Sequence, residues 1–436
     1  MNKKRIAIIL ELKNRELPYF VLLKEMLEKQ GHTVKLISFR SACSVQLLLF
    51  NPQIVVVNGL RSYESYLKQM YIPKRLYGTV VVCLYSEQIV YSKTDSIAET
   101  YNNPKILKAV DYHVTWGETF AKALEKIGVP KEKIWVLGSL QNDLKYYLSK
   151  TESDLKKQYA AKYGLESSKK WSIIADNVLP SMQNANYIEN RKWMDSLIVK
   201  VANDNPDVEF ILRLHPESAR QEMSAVRKNM GSYKNIHVIN EGHIYIWSLL
   251  CHNMIIAFST SSITALINKK NVFSLKLPNA IVDNEIYEKY YWNRDVMTVY
   301  ENVEECAHDI ASDFNGEYQA PQDIQAKCDK YIEGFYYKID GLIFSRYIYL
   351  LGNLANLSVK TEKEPMLECI KYLLCDLKGW VGEKLLKKQT VNNVVLQADY
   401  NAVHETYIPK DPISQLMVIK KEYNYIEVSD CDETRG

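Results

Sequence analysis

The chain of 436 residues lacks a long hydrophobic run, a paired-cysteine motif and the GxGxxG fingerprint. Nothing approaches the roughly 20 apolar residues needed to span a bilayer. Ile244–Phe258 comes nearest, and Ser248, His252 and Asn253 interrupt it. The opening Met1-Asn2-Lys3-Lys4-Arg5 mimics an export signal, but Glu11 and Lys13 end the apolar run Ile6–Leu10 after five residues. A buried first strand and a cytoplasmic protein are expected instead. The eight cysteines are scattered without CxxC or metal-ligand spacing, Cys369 and Cys375 being the closest two. Reduced thiols and no metal site follow. A formal charge of +3 is close to balance and gives no support for nucleic acid as a partner, which needs a concentrated basic face. Without GxGxxG the usual dinucleotide signature is missing, and there is no solenoid-length repeat or low-complexity segment. With 47% hydrophobic and 25% charged residues, the composition is globular, and the length calls for two or three domains.

What is present is a regular alternation. Apolar runs at Ile6–Leu10, Val34–Ser38, Ile54–Val57, Val80–Tyr85, Tyr112–Thr115 and Ile134–Leu137 read as strands. Helical patterns such as Pro18–Gln30, Tyr63–Tyr77 and Thr119–Ile127 separate them, and Gly31 stands where a helix-ending glycine belongs. After a charged helical stretch over 149–170 the alternation restarts. Strands fit at Trp171–Ala175, Val208–Leu214, Ile236–Ile239, Met254–Phe258 and Val272–Leu275. Helices fit at Asn190–Ala202, Glu217–Met230, Ser262–Asn268 and Val303–Phe314. Such spacing makes βαβ units and parallel sheets covered on both faces. The expected fold class is α/β: two doubly wound Rossmann-like domains facing a cleft, plus a helical C-terminal extension. The expected limits are 1–165 and 166–335 for the domains, 336–356 for a closing helix and 357–436 for the extension. There Pro365–Lys388 reads as one helix, with Leu367, Ile370, Leu373, Leu374, Leu377, Trp380 and Leu385 on a broad apolar face. That face either packs on the second domain or lies on a membrane.

Two segments carry the chemistry. Arg213-Leu214-His215-Pro216-Glu217 and Ser259-Thr260-Ser261-Ser262 each follow an apolar run, where strand ends of a parallel sheet meet ligands. Pro216 holds His215 in an extended conformation, so the imidazole points reproducibly and can neutralise a phosphate or pass a proton. Glu217 opens the next helix, where a carboxylate suits the dipole. One hydroxyl of the serine segment serves as an N-cap; four exceed that need and suit a phosphate, with Ser261 and Ser262 favoured. Glu241, in Asn240-Glu241-Gly242-His243, is a candidate contact to a nucleotide base. In the first domain Glu11, Arg15 and Glu16 flank the first βα loop. Glu87, in the polar Tyr85-Ser86-Glu87-Gln88 after a very apolar strand, is placed to act as a base. Gly117 and Gly138 follow strands, where turns alone explain them as well as binding does.

The ordered set Glu11…Arg15-Glu16, Ser86-Glu87-Gln88, Trp116-Gly117, Gly138…Asp143, Arg213…His215-Pro216 and Ser261-Ser262 resembles the bacterial surface carbohydrate biosynthesis proteins. These are GT-B glycosyltransferases similar to the capsule Kdo transferases and polysialyltransferases. Tyr337-Lys338-Ile339-Asp340-Gly341…Arg346 is similar to their closing helix, and the resemblance spans residues 5–355. It implies a metal-independent, inverting transferase in which Glu87 is the base, His215 the acid or phosphate partner, and Ser261 with Ser262 the phosphate cradle. Arg213, Pro216, Glu217, Ser259, Thr260 and Glu241 then belong to the donor site, and Glu11, Arg15 and Glu16 to the acceptor side. The first motif departs from the acidic–acidic–glycine pattern, so Glu11 and Glu16 stand as alternative bases. No DxD pair stands where a GT-A enzyme would place its cation. The substrate implied is a nucleotide sugar, CMP-linked acidic sugars leading, with a glycan or lipid-linked acceptor and no further cofactor. Polyol-phosphate transfer from CDP-glycerol, a sugar-nucleotide 2-epimerase and a silent scaffold of an assembly complex remain alternatives. Peripheral membrane contact and self-association are left open.

Overall fold

The structure, a computed structural model, describes residues 3–39, 42–60, 62–85, 88, 103–178, 187–214, 220–278, 292–354, 364–385, 395, 397–412, 415–416 and 418–420. The chain forms two compact units: Met1–Ser149 with Glu333–Gly436, and Lys150–Ile332.

The first unit holds a six-stranded parallel sheet in the order β2-β1-β3-β4-β5-β6. Its strands are β1 (Arg5–Leu10), β2 (Thr33–Ser38), β3 (Ile54–Val57), β4 (Val80–Cys83), β5 (Tyr112–Thr115) and β6 (Ile134–Val136). β1 from Ile6 onward, and β3 and β4 throughout, are apolar and buried, as a sheet covered on both faces requires. β4 is two residues shorter than its apolar run, because Tyr85 turns to φ +56 and leaves the sheet. The first helix also differs from expectation. It spans Lys13–Lys29, with Pro18 inside it, so Arg15 and Glu16 lie in its first turn and not in the βα loop. The buried Glu16 carboxylate accepts the Glu11 N–H at 2.7 Å and so satisfies a donor just ahead of the helix. The expected Tyr63–Tyr77 helix is continuous but widens into π-helical turns over Tyr66–Tyr71.

The second unit repeats the plan in the order β12-β11-β10-β7-β8-β9. Its strands are β7 (Lys170–Asp176), β8 (Val208–Leu214), β9 (Ile236–Val238), β10 (Asn253–Ile256), β11 (Asn271–Leu275) and β12 (Thr298–Tyr300). All pairings are parallel. β12 went unread in the sequence because three residues make no periodic run. The helix Glu152–Tyr163, expected in the first domain, belongs to the second unit: Tyr159 and Tyr163 meet Trp247 at ring-centroid distances of 4.9 and 5.1 Å.

The residues after 332 return to the first unit. Gly117 permits this, since a Cβ there would stand 2.4 Å from the Phe335 carbonyl oxygen. Asp143 accepts the N–H groups of Gly341 at 3.1 Å and Ile343 at 2.6 Å, fixing the start of the Ile343–Asn353 helix. At its other end the buried Lys4 ammonium donates to the carbonyls of Gly352 at 2.9 Å and Leu354 at 2.6 Å. The helix Met366–Leu385 packs on this first unit as well, through the helix Cys43–Phe50. Gln397–His404 lies along the first helix, where Asp399 pairs with Lys13 at 2.6 Å.

At the N-terminal edge of the second sheet, Asp313 gathers three donors. Asn271 Nδ2 stands at 2.6 Å, Asn253 Nδ2 at 2.7 Å and His252 Nε2 at 3.2 Å. Burial alone would raise the Asp313 pKa, but those hydrogen bonds outweigh it and hold the carboxyl below its ordinary value. Its stabilising contribution is therefore complete above the unfolded value of about 3.9 and is lost as pH falls through the lower folded value. Asp313→Ala should remove about 2–4 kcal/mol of stability at neutral pH by leaving buried donors unpaired. Denaturant titrations at pH 7 and pH 3 check this. The difference between wild type and variant should shrink at the acid end.

Candidate functional site

In an open parallel sheet, ligands bind beyond the carboxyl ends of the strands where the strand order reverses. In the second unit the order reverses between β7 and β10, because β8 and β9 run to one side and β10 to β12 to the other. The segment Ser259–Ser262 follows β10 and stands at that point, where Asn177, just past β7, donates to the Phe258 carbonyl at 2.8 Å. Ala175 pairs with Ile256 on one side and Arg213 on the other. Arg213 and Ile256 thus end at the same height about 10 Å apart, two strand spacings.

The four hydroxyls are not equivalent. Ser259 and Ser262 are buried, and Ser262 Oγ donates back to the Ser259 carbonyl at 2.9 Å. The Ser259 hydroxyl accepts the Ser261 N–H at 3.3 Å. Thr260 is exposed and Ser261 half-buried, so these two present their hydroxyls to solvent at the sheet edge. The helix they open, Ser261–Ile267, has no side-chain cap.

Arg213 does something the sequence did not announce. Its guanidinium donates to four consecutive carbonyls: Ile239 at 3.2 Å, Asn240 at 3.3 Å, Glu241 at 2.7 Å and Gly242 at 2.9 Å. It lies 5.7 Å from the centroid of Trp247, whose indole N–H donates to the Glu241 carbonyl at 2.9 Å. The loop closes tightly enough that Gly242, at φ +78, would place a Cβ 2.8 Å from Trp247 Nε1. Burial lowers the Arg213 pKa to about 10, so it keeps its charge at neutral pH. The cation therefore holds the 239–242 loop, and Glu241 takes part through its main chain, its side chain remaining exposed.

The first unit also places polar residues at its strand ends. Its order reverses between β1 and β3, and Asn58, directly after β3, borders two hollows there. The larger, about 480 Å³ with its open mouth included, is walled by Arg15, Tyr19, Asn58, Tyr85, Trp116 and Tyr336 among others. Asn58 is buried, with its side-chain amide facing the Tyr19 hydroxyl. Trp116 stacks on Tyr336 with centroids 5.7 Å apart. Tyr85, in the left-handed conformation, shares a hydrogen bond between its hydroxyl and His113 Nδ1, and burial lowers the His113 pKa to about 3, keeping that imidazole neutral.

Arg15 bridges Glu16 at 2.7 Å and Glu11 at 3.2 Å, which leaves this trio with a net negative charge. Burial raises the Glu16 pKa against the pull of Arg15. Glu16 is fully enclosed, whereas Glu11 is half-buried and borders the smaller hollow.

Glu87, His215, Pro216 and Glu217 lie outside the described residues. Among the described residues, no group of three His, Cys, Asp or Glu side chains converges as metal ligands would. Asn58, Tyr19 and Tyr336 were not singled out from sequence. Asn58-Gly59 at the end of an apolar strand is the one local signal that pointed there.

No family model and no curated protein matches the chain. Solved structures do. The Staphylococcus aureus MnaA–UDP complex superposes with a TM-score of 0.56 at 13% identity, over 83% of this chain and 100% of that one. The wall teichoic acid polymerase TagF, soaked with CDPG, gives 0.55 at 11% identity, over 80% and 87%. The UDP-GlcNAc 2-epimerase of Neisseria meningitidis bound to UDP-GlcNAc gives 0.51 at 13% identity, over 76% and 98%. The fold is thus that of the GT-B proteins, two Rossmann-like domains with a helical C-terminal extension.

Arg213→Lys should loosen the 239–242 loop, since one ammonium cannot reach four carbonyls laid out for a planar fork. A loss of about 2–3 kcal/mol is expected, with faster amide exchange in the loop. Unchanged stability would show that these bonds carry no weight.

Proposed function

We propose that the chain is a glycosyltransferase that takes a sugar from a pyrimidine-nucleotide donor and adds it to a bacterial surface glycan. The observation that carries this reading is the placement of Ser259–Ser262 at the switch point of the second sheet, two strand spacings from Arg213. Thr260 and Ser261 would receive the phosphate, and His215, Pro216 and Glu217, which follow β8 in the sequence, are proposed for the same donor site. The Arg213-held loop, with Glu241 exposed on it, would border the nucleotide. The fold neighbours support a pyrimidine nucleotide: they are described with UDP, UDP-GlcNAc and CDPG. Within that class a CMP-linked acidic sugar is the leading donor, on the strength of the resemblance to Kdo transferases and polysialyltransferases.

In this scheme His215 neutralises the departing phosphate or protonates it, and Glu87 deprotonates the acceptor hydroxyl in an inverting, metal-independent transfer. If Glu87 is not the base, Glu11 is the better substitute. Glu16 is enclosed and already bound by Arg15 and the Glu11 N–H, so an acceptor hydroxyl has no way to reach it. The hollow beside Trp116 and Asn58 would serve the acceptor: aromatic faces suit sugar rings, and the amide suits a hydroxyl. A second reading, polyol-phosphate transfer from a CDP-linked donor, is favoured by the fold shared with TagF.

Thermal stabilisation of the purified protein by CMP, CDP and UDP separates these readings. Binding at one hundred times Kd should add about 2.7 kcal/mol of stability. Selective stabilisation by CMP supports the acidic-sugar donor, preference for CDP the polyol reading, and preference for UDP an epimerase or UDP-sugar transferase. With the donor found, His215→Ala should lower turnover by about 100-fold or more. Full retained activity would remove His215 from the mechanism.

A further inference from the structure

The helix Met366–Leu385 has two faces with different fates. One face docks on the first unit. Asp376 accepts the Ser44 N–H at 2.8 Å and its hydroxyl at 2.6 Å, and pairs with Lys68 at 2.9 Å. Cys369 and Tyr372 pack against the core of the first sheet. Just ahead of the helix, Glu364 accepts the hydroxyls of Tyr63 at 2.6 Å and Tyr66 at 3.1 Å. These polar clamps fix the rotation of the helix about its axis and therefore which residues point outward.

The outward face is apolar. Leu367 is 81% exposed, Met366 76%, Leu374 56%, Ile370 43% and Leu377 42%. Positions 367, 370, 374 and 377 follow helical spacing and form one stripe. Lys371 and Lys378, both exposed and seven residues apart, lie along it. Glu368 stands 3.9 Å from Lys371, and Asp376 is turned inward to Lys68. The sequence adds Lys384, Lys387 and Lys388 against Glu383 alone.

We infer that this face rests on an anionic lipid surface, with the leucines entering the headgroup boundary and the lysines meeting lipid phosphates. Charge decides between occupants. A second protein copy would have to desolvate two ammonium groups within its apolar seam, and lysine is depleted from interface cores for that reason. At a bilayer surface the same lysines extend along their own stems to the headgroups while the leucines stay immersed. No helix among the described residues is long and apolar enough to cross a membrane, so the contact is one of lying on the surface.

Vesicle flotation of the full chain tests this. Binding to vesicles of phosphatidylcholine with phosphatidylglycerol should exceed binding to phosphatidylcholine alone by about tenfold or more, each lysine near an anionic surface adding several-fold. It should weaken at about 1 M salt, where the screening length falls to about 3 Å. Lys371→Glu with Lys378→Glu should abolish the lipid preference, and Leu367→Glu with Leu374→Glu should abolish binding to either vesicle. The lysine pair touches no core, so its result stands even if the leucine pair alters folding, which the thermal midpoint reports. Absence of binding to the anionic vesicles would overturn the inference, as would binding indifferent to lipid charge. So would a dimer, seen by light scattering, that the leucine pair dissolves.

Discussion

Parallel pairing is the constraint on which the rest of this molecule depends. Strands that all run one way all finish at one edge, and each must return through a covering segment before the next begins. The apolar demand of a doubly covered sheet is met along the strands, so polar residues collect where strands stop. Asn177 and Ser259–Ser262 in one unit, and Glu11, Asn58 and Trp116 in the other, lie past strand ends for this reason, and Arg213 is the next-to-last residue of β8. The reversal of strand order then opens a crevice at one place along each edge. In the second unit the four-hydroxyl segment stands at that place.

Electrostatics give the two edges different characters. In the second unit the Arg213 guanidinium is held by four main-chain carbonyls, with the Glu241 carboxylate near enough to favour its charged form. In the first unit Arg15 is outnumbered by Glu11 and Glu16, and the larger hollow is walled mainly by aromatic rings and amides. An anionic donor group suits the first of these environments and an uncharged sugar hydroxyl the second. The proposed division into donor and acceptor seats rests on this difference.

Most of the strands were legible in the sequence because a buried parallel strand is a short unbroken apolar run, and its regular alternation with longer helical patterns separates it from apolar helices such as Ile244–Leu250. The serine segment and Arg213 were legible as strand-end polar residues. What Arg213 does was not, because its four carbonyl partners lie 26 to 29 residues downstream and reach it only once β9 has paired with β8. The enclosure of Glu16 was hidden for a similar reason: Pro18 marked a plausible helix start, whereas the helix begins five residues earlier. The larger hollow joins residues from position 15 to position 347, a set with no local spacing to read. In the helix Met366–Leu385, periodicity revealed an amphipathic element but not its sides. The docked side is chosen by Asp376 and Ser44, and the most apolar residues face outward.

The central claim is that the second sheet's C-terminal edge seats the nucleotide. Amide hydrogen exchange, followed by mass spectrometry with and without the best-stabilising pyrimidine nucleotide, tests it most directly. Protection should concentrate in the peptides covering 213–220, 239–243 and 258–264. Protection confined to the first unit, or absent from all three peptides under saturating nucleotide, would contradict the account.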